Sequence, residues 1–255
     1  MDIYRRKKII VFDLDGTLAK SKSDIDDEIS ELIGGLLEVK KVALISGGAY
    51  PQIEKSFIKK LNIEKELLSN LFIFPTDATS FYKYEEGGWK NIYSEELTFD
   101  ERKKIIEIFN GALNEAGYKK PEVVYGEIIE DRGTQITFSG LGQKAPLEDK
   151  LKWDPERKLR EKIIDIFNEK GLNFEAKIGG STSVDINKKG ISKAYGIKKI
   201  QEKLEVSGDE ILFIGDALFE GGNDHSVIGT GVDTIAVKNP EDTKKYIREI
   251  ISSAL

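Results

Sequence analysis

Lys8-Lys-Ile-Ile-Val-Phe-Asp-Leu-Asp-Gly-Thr-Leu18 is the stretch that decides how the rest of the chain folds. Residues 9–12 are an unbroken apolar run, typical of a strand buried on both faces of a parallel sheet. Asp13 and Asp15 follow at once, and Gly16 allows a sharp turn. Because open α/β sheets bind ligands at the carboxyl ends of their strands, the two carboxylates are expected at the active edge. Their mutual repulsion favours a bound cation, and Mg²⁺ prefers such oxygen ligands.

Strand-like and helix-like segments alternate after this turn. Apolar spacing predicts a helix over 24–38, a strand over 41–46, a helix over 51–61 and a strand over 71–74. This alternation favours a parallel sheet with right-handed crossovers. The second strand ends in Ser46-Gly47-Gly48, where a hydroxyl and backbone N–H groups could hold phosphate oxygens, although an ordinary turn explains the same residues equally well.

The pattern changes near Gly87-Gly88, where strand pairs separated by helices begin. The predicted segments are a strand from Trp89, a helix over 99–116, strands over 122–125 and 133–138, a helix over 155–170, and strands over 173–178 and 182–186. Such an order suggests an α+β layer with an antiparallel sheet. The sequence therefore predicts an α/β fold: a doubly wound, parallel, Rossmann-like core over 1–86 and 187–255, with an inserted α+β cap domain over 87–186.

Two cap segments carry polar side chains, Arg132-Gly-Thr and Gly179-Gly-Ser-Thr-Ser-Val-Asp185. The two-residue period of a strand places Ser183 and Asp185 on one face and Val184 on the other. A polar face that ends in a carboxylate could recognise sugar hydroxyls. A solvent-facing sheet surface is the alternative.

The core resumes with a helix that begins at a charged residue and a strand that is followed by one. Ser192 can cap a helix from Lys193 to about Leu204, which places a cation at the positive helix N-terminus. A buried strand over 211–215 delivers Asp216 to the same edge as Asp13, and a glycine-rich loop returns Asn223 and Asp224 towards it. His225, the only histidine, is given no role.

Composition excludes several function classes. The formal net charge is -6, so bulk attraction to nucleic acid or to an anionic membrane is not expected. The chain has no cysteine, which excludes disulfides and thiol chemistry and fits a reducing compartment. The sequence shows neither a signal peptide nor a run of transmembrane length, and a cytoplasmic location is the expectation.

Asp-Leu-Asp-Gly-Thr resembles the nucleophile motif of the haloacid dehalogenase superfamily of phosphotransferases. The resemblance implies that Asp13 attacks phosphorus and that Asp15 is the general acid and base. Lys193 matches the lysine that opens a helix in that superfamily, and Ser46 matches the hydroxyl residue after its second core strand. By this resemblance, Lys193, Ser46 and the neighbouring Gly47 would bind the phosphoryl group during transfer. The implied Mg²⁺ ligands are Asp13, Asp15 (through its backbone carbonyl), Asp216, Asn223 and Asp224.

Over nearly its whole length the chain resembles subfamily IIB of that superfamily, and within it the eukaryotic-type phosphomannomutases. The matching segments are Arg132-Gly-Thr, Gly179-Gly-x-x-Ser183-x-Asp185, the Lys193 helix and Gly215-Asp216. By this resemblance Arg132, Ser183 and Asp185 would bind the distal phosphate and the sugar.

Three arginines of those mutases have no counterpart: this chain has Lys22 and Ser139 at two positions, and acids with one lysine, Lys150, near the third. Neither serine nor a point-charge lysine replaces the bidentate arginine fork.

These departures set the order of the functional expectations. A Mg²⁺-dependent phosphatase acting on a small phosphorylated sugar comes first, because Arg132 is the one clear arginine in the cap for a second phosphate. Phosphomannomutase activity, the interconversion of mannose 1-phosphate and mannose 6-phosphate, is the alternative. A non-enzymatic sugar-phosphate-binding regulator is the second alternative. The expected partner is the sugar phosphate, with no nucleic acid or membrane, and the oligomeric state stays open, a homodimer being one option.

Overall fold

The computed structural model describes residues 3–21 and 23–254 of the chain. Its strands are β1 Ile9–Phe12, β2 Lys41–Ile45, β3 Leu71–Phe74, β4 Ser80–Glu85, β5 Gly88–Ser94, β6 Ile129–Asp131, β7 Ile136–Ser139, β8 Phe174–Ile178, β9 Ser183–Lys188, β10 Ile211–Gly215 and β11 Asp233–Ala236. Its α-helices are α1 Asp27–Val39, α2 Tyr50–Ser56, α3 Phe99–Ala116, α4 Leu147–Lys152, α5 Lys158–Lys170, α6 Lys193–Leu204 and α7 Pro240–Ala254.

The chain forms two units, one of Met1–Ser94 with Ile191–Leu255 and one of Glu95–Gly190. The first unit holds a seven-stranded sheet in the order β11-β10-β1-β2-β3-β4-β5. Its first five strands in this order are parallel, and β4 and β5 extend the sheet as antiparallel strands. The strand β1 lies near the centre, paired with β2 and β10, as its unbroken apolar run predicts.

Apolar side chains cover both faces of this sheet, which is what a doubly wound core requires. Ile10 and Phe12 of β1 pack in one cluster with residues of α1 and α7. Ile9 and Val11 point the other way and pack in a second cluster with residues of α6. Since successive side chains of a strand alternate between faces, one four-residue strand contributes to both layers of the core.

The second unit is an antiparallel sheet with helices on one face. Its strand order is β6-β7-β9-β8. Phe138 of β7 packs against Phe109 of α3, which also contacts Phe167 of α5. The alternate residues of β7 and β9 are polar, so the sheet has one apolar and one polar face.

The α/β core and the inserted antiparallel unit confirm the predicted fold class, while several local features differ from the sequence-based expectation. The strands β4 and β6 and the helix α4 were not predicted. The strand from Trp89 pairs with β4 and belongs to the first unit, so the units divide after Ser94 and Gly190 and not after residues 86 and 186. Residues 122–125 form no strand; Tyr125 N–H donates to Leu141 O, but no ladder follows. The helix predicted over 155–170 begins later, at Lys158.

No helix formed by residues 3–21 and 23–254 has both the length and the hydrophobicity that a membrane span needs.

Candidate active site

The carboxyl ends of neighbouring parallel strands bring the predicted catalytic residues of the first unit together. Asp13 directly follows β1, Asp216 follows β10, and Ser46 follows β2. Lys193 is the first residue of α6, whose N-cap Ser192 accepts a hydrogen bond from Tyr195 N at 3.4 Å, as predicted. Ligands of open α/β sheets bind at this edge.

Lys193 links two buried carboxylates. Its Nζ lies 2.5 Å from Asp13 Oδ1 and also contacts Asp224 Oδ1. All three side chains are almost fully buried, with exposed fractions of 1%, 4% and 0%. The second oxygen of Asp224 accepts a hydrogen bond from Ala217 N at 3.0 Å, which fixes the end of the glycine-rich loop beside the strand that starts it.

Charge is not balanced in this cluster. Asp216 lies beside the pair, and Asp13, Asp216 and Asp224 each offer a carboxylate oxygen within 4.8 Å of the others. Three carboxylates against one ammonium leave two negative charges. Burial raises the pKa of Asp13 well above its ordinary value, and Lys193 opposes this shift. Burial and Asp224 likewise raise the pKa of Asp216. Burial would lower the pKa of Lys193, but the two carboxylates outweigh it and raise that pKa.

The donor set suits a divalent, oxygen-preferring cation. Asp13 Oδ2 is buried and makes no hydrogen bond within the described parts of the chain, although buried polar atoms are almost always paired. A dication beside these carboxylates would neutralise the two excess charges, and carboxylate oxygens are what Mg²⁺ binds. The residues therefore fit the metal that the sequence predicts.

Gly16 keeps the space beside Asp216 open. Its φ is +93°, a conformation that side chains disfavour, and a Cβ here would lie 2.4 Å from Asp216 Oδ2. Thr17 Oγ1 then donates to Asp216 Oδ1 at 3.4 Å. The Gly-Thr pair after the two aspartates thus sets the position of a carboxylate that lies about 200 residues later in the chain.

Two further predicted residues lie at the exposed side of the cluster. Asp15 is exposed, so its predicted role as general acid and base stays a prediction that its accessibility permits. Asn223 is exposed as well, one residue before the buried Asp224, so its predicted role as a metal ligand stays a prediction. His225 has its Nδ1 3.2 Å from Leu218 O and is exposed. Lys22, at one of the missing arginine positions, lies outside the described residues.

Ser46 is buried, and its Oγ accepts a hydrogen bond from Gly48 N at 3.0 Å, which folds the Ser46-Gly47-Gly48 turn back on itself. The backbone after β3 holds this turn, since Asp77 N donates to Ser46 O and Thr76 N to Gly48 O, both at 3.0 Å. Thr76, Asp77 and Ala78 have φ values of 48°, 54° and 67°. Three successive left-handed residues that are not glycine store strain, which is characteristic of functional sites.

In the second unit, the predicted substrate-binding residues share the polar face of the sheet. Ser183 and Asp185 lie on β9, and Thr137 Oγ1 of the paired strand donates to Asp185 Oδ1 at 2.7 Å. Arg132 precedes β7. Its guanidinium pairs with Glu130 Oε2 at 2.7 Å and donates from Nη1 to Gln135 Oε1 at 3.2 Å.

Sequence reasoning missed the residues that hold the predicted ones in place. Thr17 donates a hydrogen bond to Asp216, and Thr137 donates one to Asp185. Glu130 forms an ion pair with Arg132. Thr137 could have been found from the strand period, because it alternates with Ile136 and Phe138. The Thr76–Ala78 turn carries no such signal, since only the preceding Pro75 marks the end of the strand.

The comparisons with known proteins agree with this geometry. Residues 30–253 match the family model described as eukaryotic phosphomannomutase. A phosphomannomutase of Encephalitozoon cuniculi is 26% identical over 96% of this chain and 94% of its own length. Phosphomannomutase 1 of Mus musculus is 28% identical over 96% of the chain and 94% of its length.

Solved structures share the fold at lower identity. A Plasmodium falciparum IMP-nucleotidase superposes with a TM-score of 0.73 at 18% identity, covering 97% of this chain and 71% of that one. An Aspergillus fumigatus trehalose-6-phosphate phosphatase superposes with a TM-score of 0.58 at 14% identity, covering 98% and 95%.

Proposed function

Since the chain belongs to the eukaryotic phosphomannomutase family, an enzyme family of the haloacid dehalogenase superfamily, we propose that it interconverts mannose 1-phosphate and mannose 6-phosphate through an aspartyl-phosphate on Asp13. The relatives named phosphomannomutase favour this activity over the phosphatase that the sequence put first. The observation that carries the proposal is the buried cluster in which Lys193 bridges Asp13 and Asp224 beside Asp216.

In the proposed reaction, an Asp13 carboxylate oxygen forms a bond to phosphorus while the bond from phosphorus to the leaving oxygen breaks. Lys193 holds this carboxylate in position through Asp13 Oδ1. Asp15 gives a proton to the leaving oxygen. In the second half, Asp15 takes the proton of an acceptor hydroxyl, whose oxygen attacks phosphorus and releases Asp13 as a carboxylate.

Lys193, Ser46 and the backbone at Gly47 would stabilise negative charge on the phosphoryl group during transfer, where positioning and electrostatics supply most of the catalysis. Asp13, Asp216 and Asp224, with the Asp15 carbonyl and Asn223, would hold Mg²⁺. When bound, the ion supplies positive charge next to the transferring group. Arg132, Ser183 and Asp185 are proposed to bind the sugar phosphate away from the reacting phosphorus.

One observation favours phosphatase action as a second candidate. A mutase must bind a bisphosphate in either orientation, but Arg132 is already paired with Glu130, and Ser139 and Lys150 stand where arginine would be expected. Lys150 is buried and donates to Gln143 O at 2.9 Å. Weak binding of the bisphosphate intermediate would let water become the acceptor.

The cytoplasmic location predicted from the sequence remains a prediction.

A panel of hexose phosphates assayed with Mg²⁺ tests the proposal. Released phosphate and isomerised product are measured in parallel, with a hexose bisphosphate present as activator. We expect many isomerisations of the two mannose phosphates for each phosphate released. Phosphate release that outpaces isomerisation throughout the panel would replace the mutase by the phosphatase, and absence of both would reject phosphoryl transfer on sugars.

A further inference from the structure

The polar sheet face of the second unit contains two buried amide groups that are not fully hydrogen-bonded. Gln135 and Asn187 have exposed fractions of 0% and 3%. Gln135 Nε2 and Asn187 Oδ1 make no hydrogen bond within residues 3–21 and 23–254. A buried polar atom without a partner costs about 1–3 kcal/mol, so two such atoms in one region need an explanation.

The sheet register places these two side chains next to each other. The strands β7 and β9 are antiparallel, with Ile136 opposite Ile186 and Thr137 opposite Asp185. Continuing the register by one residue puts Gln135 opposite Asn187. Thr137 Oγ1 contacts both Asp185 Oδ1 and Gln135 Oε1, at 2.7 and 3.4 Å, so the amides lie on the same face as Asp185.

The contacts of Gln135 fix which end of its amide is left for a ligand. Its Oε1 accepts a hydrogen bond from Arg132 Nη1 at 3.2 Å, and an arginine nitrogen can only donate. The NH₂ group is therefore the donor that remains. Asn187 supplies an acceptor beside it, so the pair presents one donor and one acceptor without net charge.

A hydroxyl group fits this pair better than a phosphate does. A hydroxyl can accept from Gln135 and donate to Asn187, whereas a phosphate oxygen only accepts and would face the Asn187 oxygen. The same face carries the carboxylates of Asp185, Glu130 and Glu175, and its cations are paired, Arg132 with Glu130 and Lys177 with Glu175. We propose that Gln135 and Asn187 form a subsite for the neutral hydroxyl groups of the substrate's sugar ring. This subsite rests on the proposed function and adds two specificity-determining residues to it.

Three variants test the subsite. Asn187→Leu removes the acceptor with little change in shape. Gln135→Glu keeps the oxygen that binds Arg132 and removes the donor. Thr182→Val is the matched control, because the Thr182 hydroxyl is also buried and has no hydrogen-bond partner among the described residues. Strand alternation places it on the opposite, apolar face. For each variant, KM and kcat are measured with mannose 6-phosphate and with p-nitrophenyl phosphate, which has no hydroxyl, and mannose 6-phosphate binding is measured by calorimetry.

Asn187→Leu and Gln135→Glu should each raise KM and Kd for mannose 6-phosphate roughly 2- to 13-fold, the equivalent of one neutral hydrogen bond, and leave KM for the aryl phosphate unchanged. Thr182→Val should change neither. The Tm of Asn187→Leu should not fall, because the oxygen removed makes no hydrogen bond to any residue that the structure describes.

Any of three results would overturn the subsite: a marked fall in the Tm of Asn187→Leu, an unchanged Kd for mannose 6-phosphate in both variants, or an equal rise in KM for both substrates. If the wild type turns over neither substrate, the proposed function fails, and the ratio of calorimetric Kd values still decides whether the subsite exists. Absence of mannose 6-phosphate binding to the wild type also rejects it.

Discussion

Replacing Asp13 by asparagine should separate catalysis from folding. An amide cannot attack phosphorus, so we expect kcat to fall at least about 100-fold, which corresponds to ~2.7 kcal/mol of transition-state stabilisation. The substitution also removes one of the negative charges that crowd the cluster, while Asp224 still pairs with Lys193. The Tm without metal should therefore stay level or rise. A variant that keeps more than about a hundredth of wild-type kcat would contradict the aspartyl-phosphate.

Lys193→Met tests the same cluster by removing its positive charge. It leaves Asp13 and Asp224 buried without their cation, and losing one partner of a buried ion pair costs about 3–5 kcal/mol. Urea unfolding in the presence of a chelator measures this loss. Lys198→Met on the exposed side of the same helix is the control and should change stability by less than about 0.5 kcal/mol. Equal stability of the two variants would show that Lys193 does not hold the carboxylates together.

The position of a residue relative to a strand or helix end decided whether its place in the site could be predicted from the sequence. Asp13, Asp216, Asp224 and Lys193 follow strands or open a helix, and topology brings such positions to one edge whatever the loops between them do. The pairing of Arg132 with Glu130 follows from a tight local turn that the sequence pattern does not encode. The structure was therefore needed to show that the Arg132 guanidinium already has a carboxylate partner.

Among the structural elements, the hairpin between β4 and β5 offers a sharp test of turn chemistry. Glu86 and Gly87, its two loop residues, have φ values of 52° and 81°. Such loops favour asparagine before glycine, because asparagine tolerates the left-handed conformation. In a Lys90→Met background, which removes the exposed ion pair of Glu86, Glu86→Asn should raise the free energy of unfolding by about 0.5–1 kcal/mol.

Gly87→Ala is the counterpart of that substitution. Within the described parts of the chain, no atom lies within 4 Å of the position its Cβ would take, so only the backbone conformation changes. We expect a loss of about 1 kcal/mol in denaturant unfolding. If Glu86→Asn instead destabilised the protein, the loop conformation assigned here would be wrong.

Elements with local start and stop signals were predicted best. The helix α6 runs from Lys193 to Leu204 as expected, because Ser192 caps it through a contact three residues away. The strand over 88–94 was assigned to the wrong unit because its partner, β4, is chosen by sheet pairing and not by its own composition. Residues 122–125 include two valines but form no ladder, and Val123 is exposed, which shows that propensity alone does not make a strand.

For the molecule as a whole, Mg²⁺ binding should be visible as a gain in stability. At 100 times its Kd, a ligand that binds only the folded state adds ~2.7 kcal/mol to the free energy of unfolding. Thermal unfolding of the wild type should show this gain, and Asp216→Asn should reduce it. Asp100→Asn, an exposed acid in the second unit, should not. Ca²⁺ should bind and inhibit, and full activity in excess chelator would contradict the metal site.

The central position of β1 in the sheet also determines when the first unit can complete its folding during synthesis. Ile9 pairs with Lys41 on one side and with Ile211 on the other. Residues 95–190 form a contiguous unit whose strand pairings are all internal, so nothing in them must wait for the C-terminal segment. In a chain leaving the ribosome, β1 instead keeps one edge unpaired until β10 has been made, and unpaired edges are where strands of different chains associate. A nascent chain therefore stays inactive and open to aggregation until its last quarter emerges.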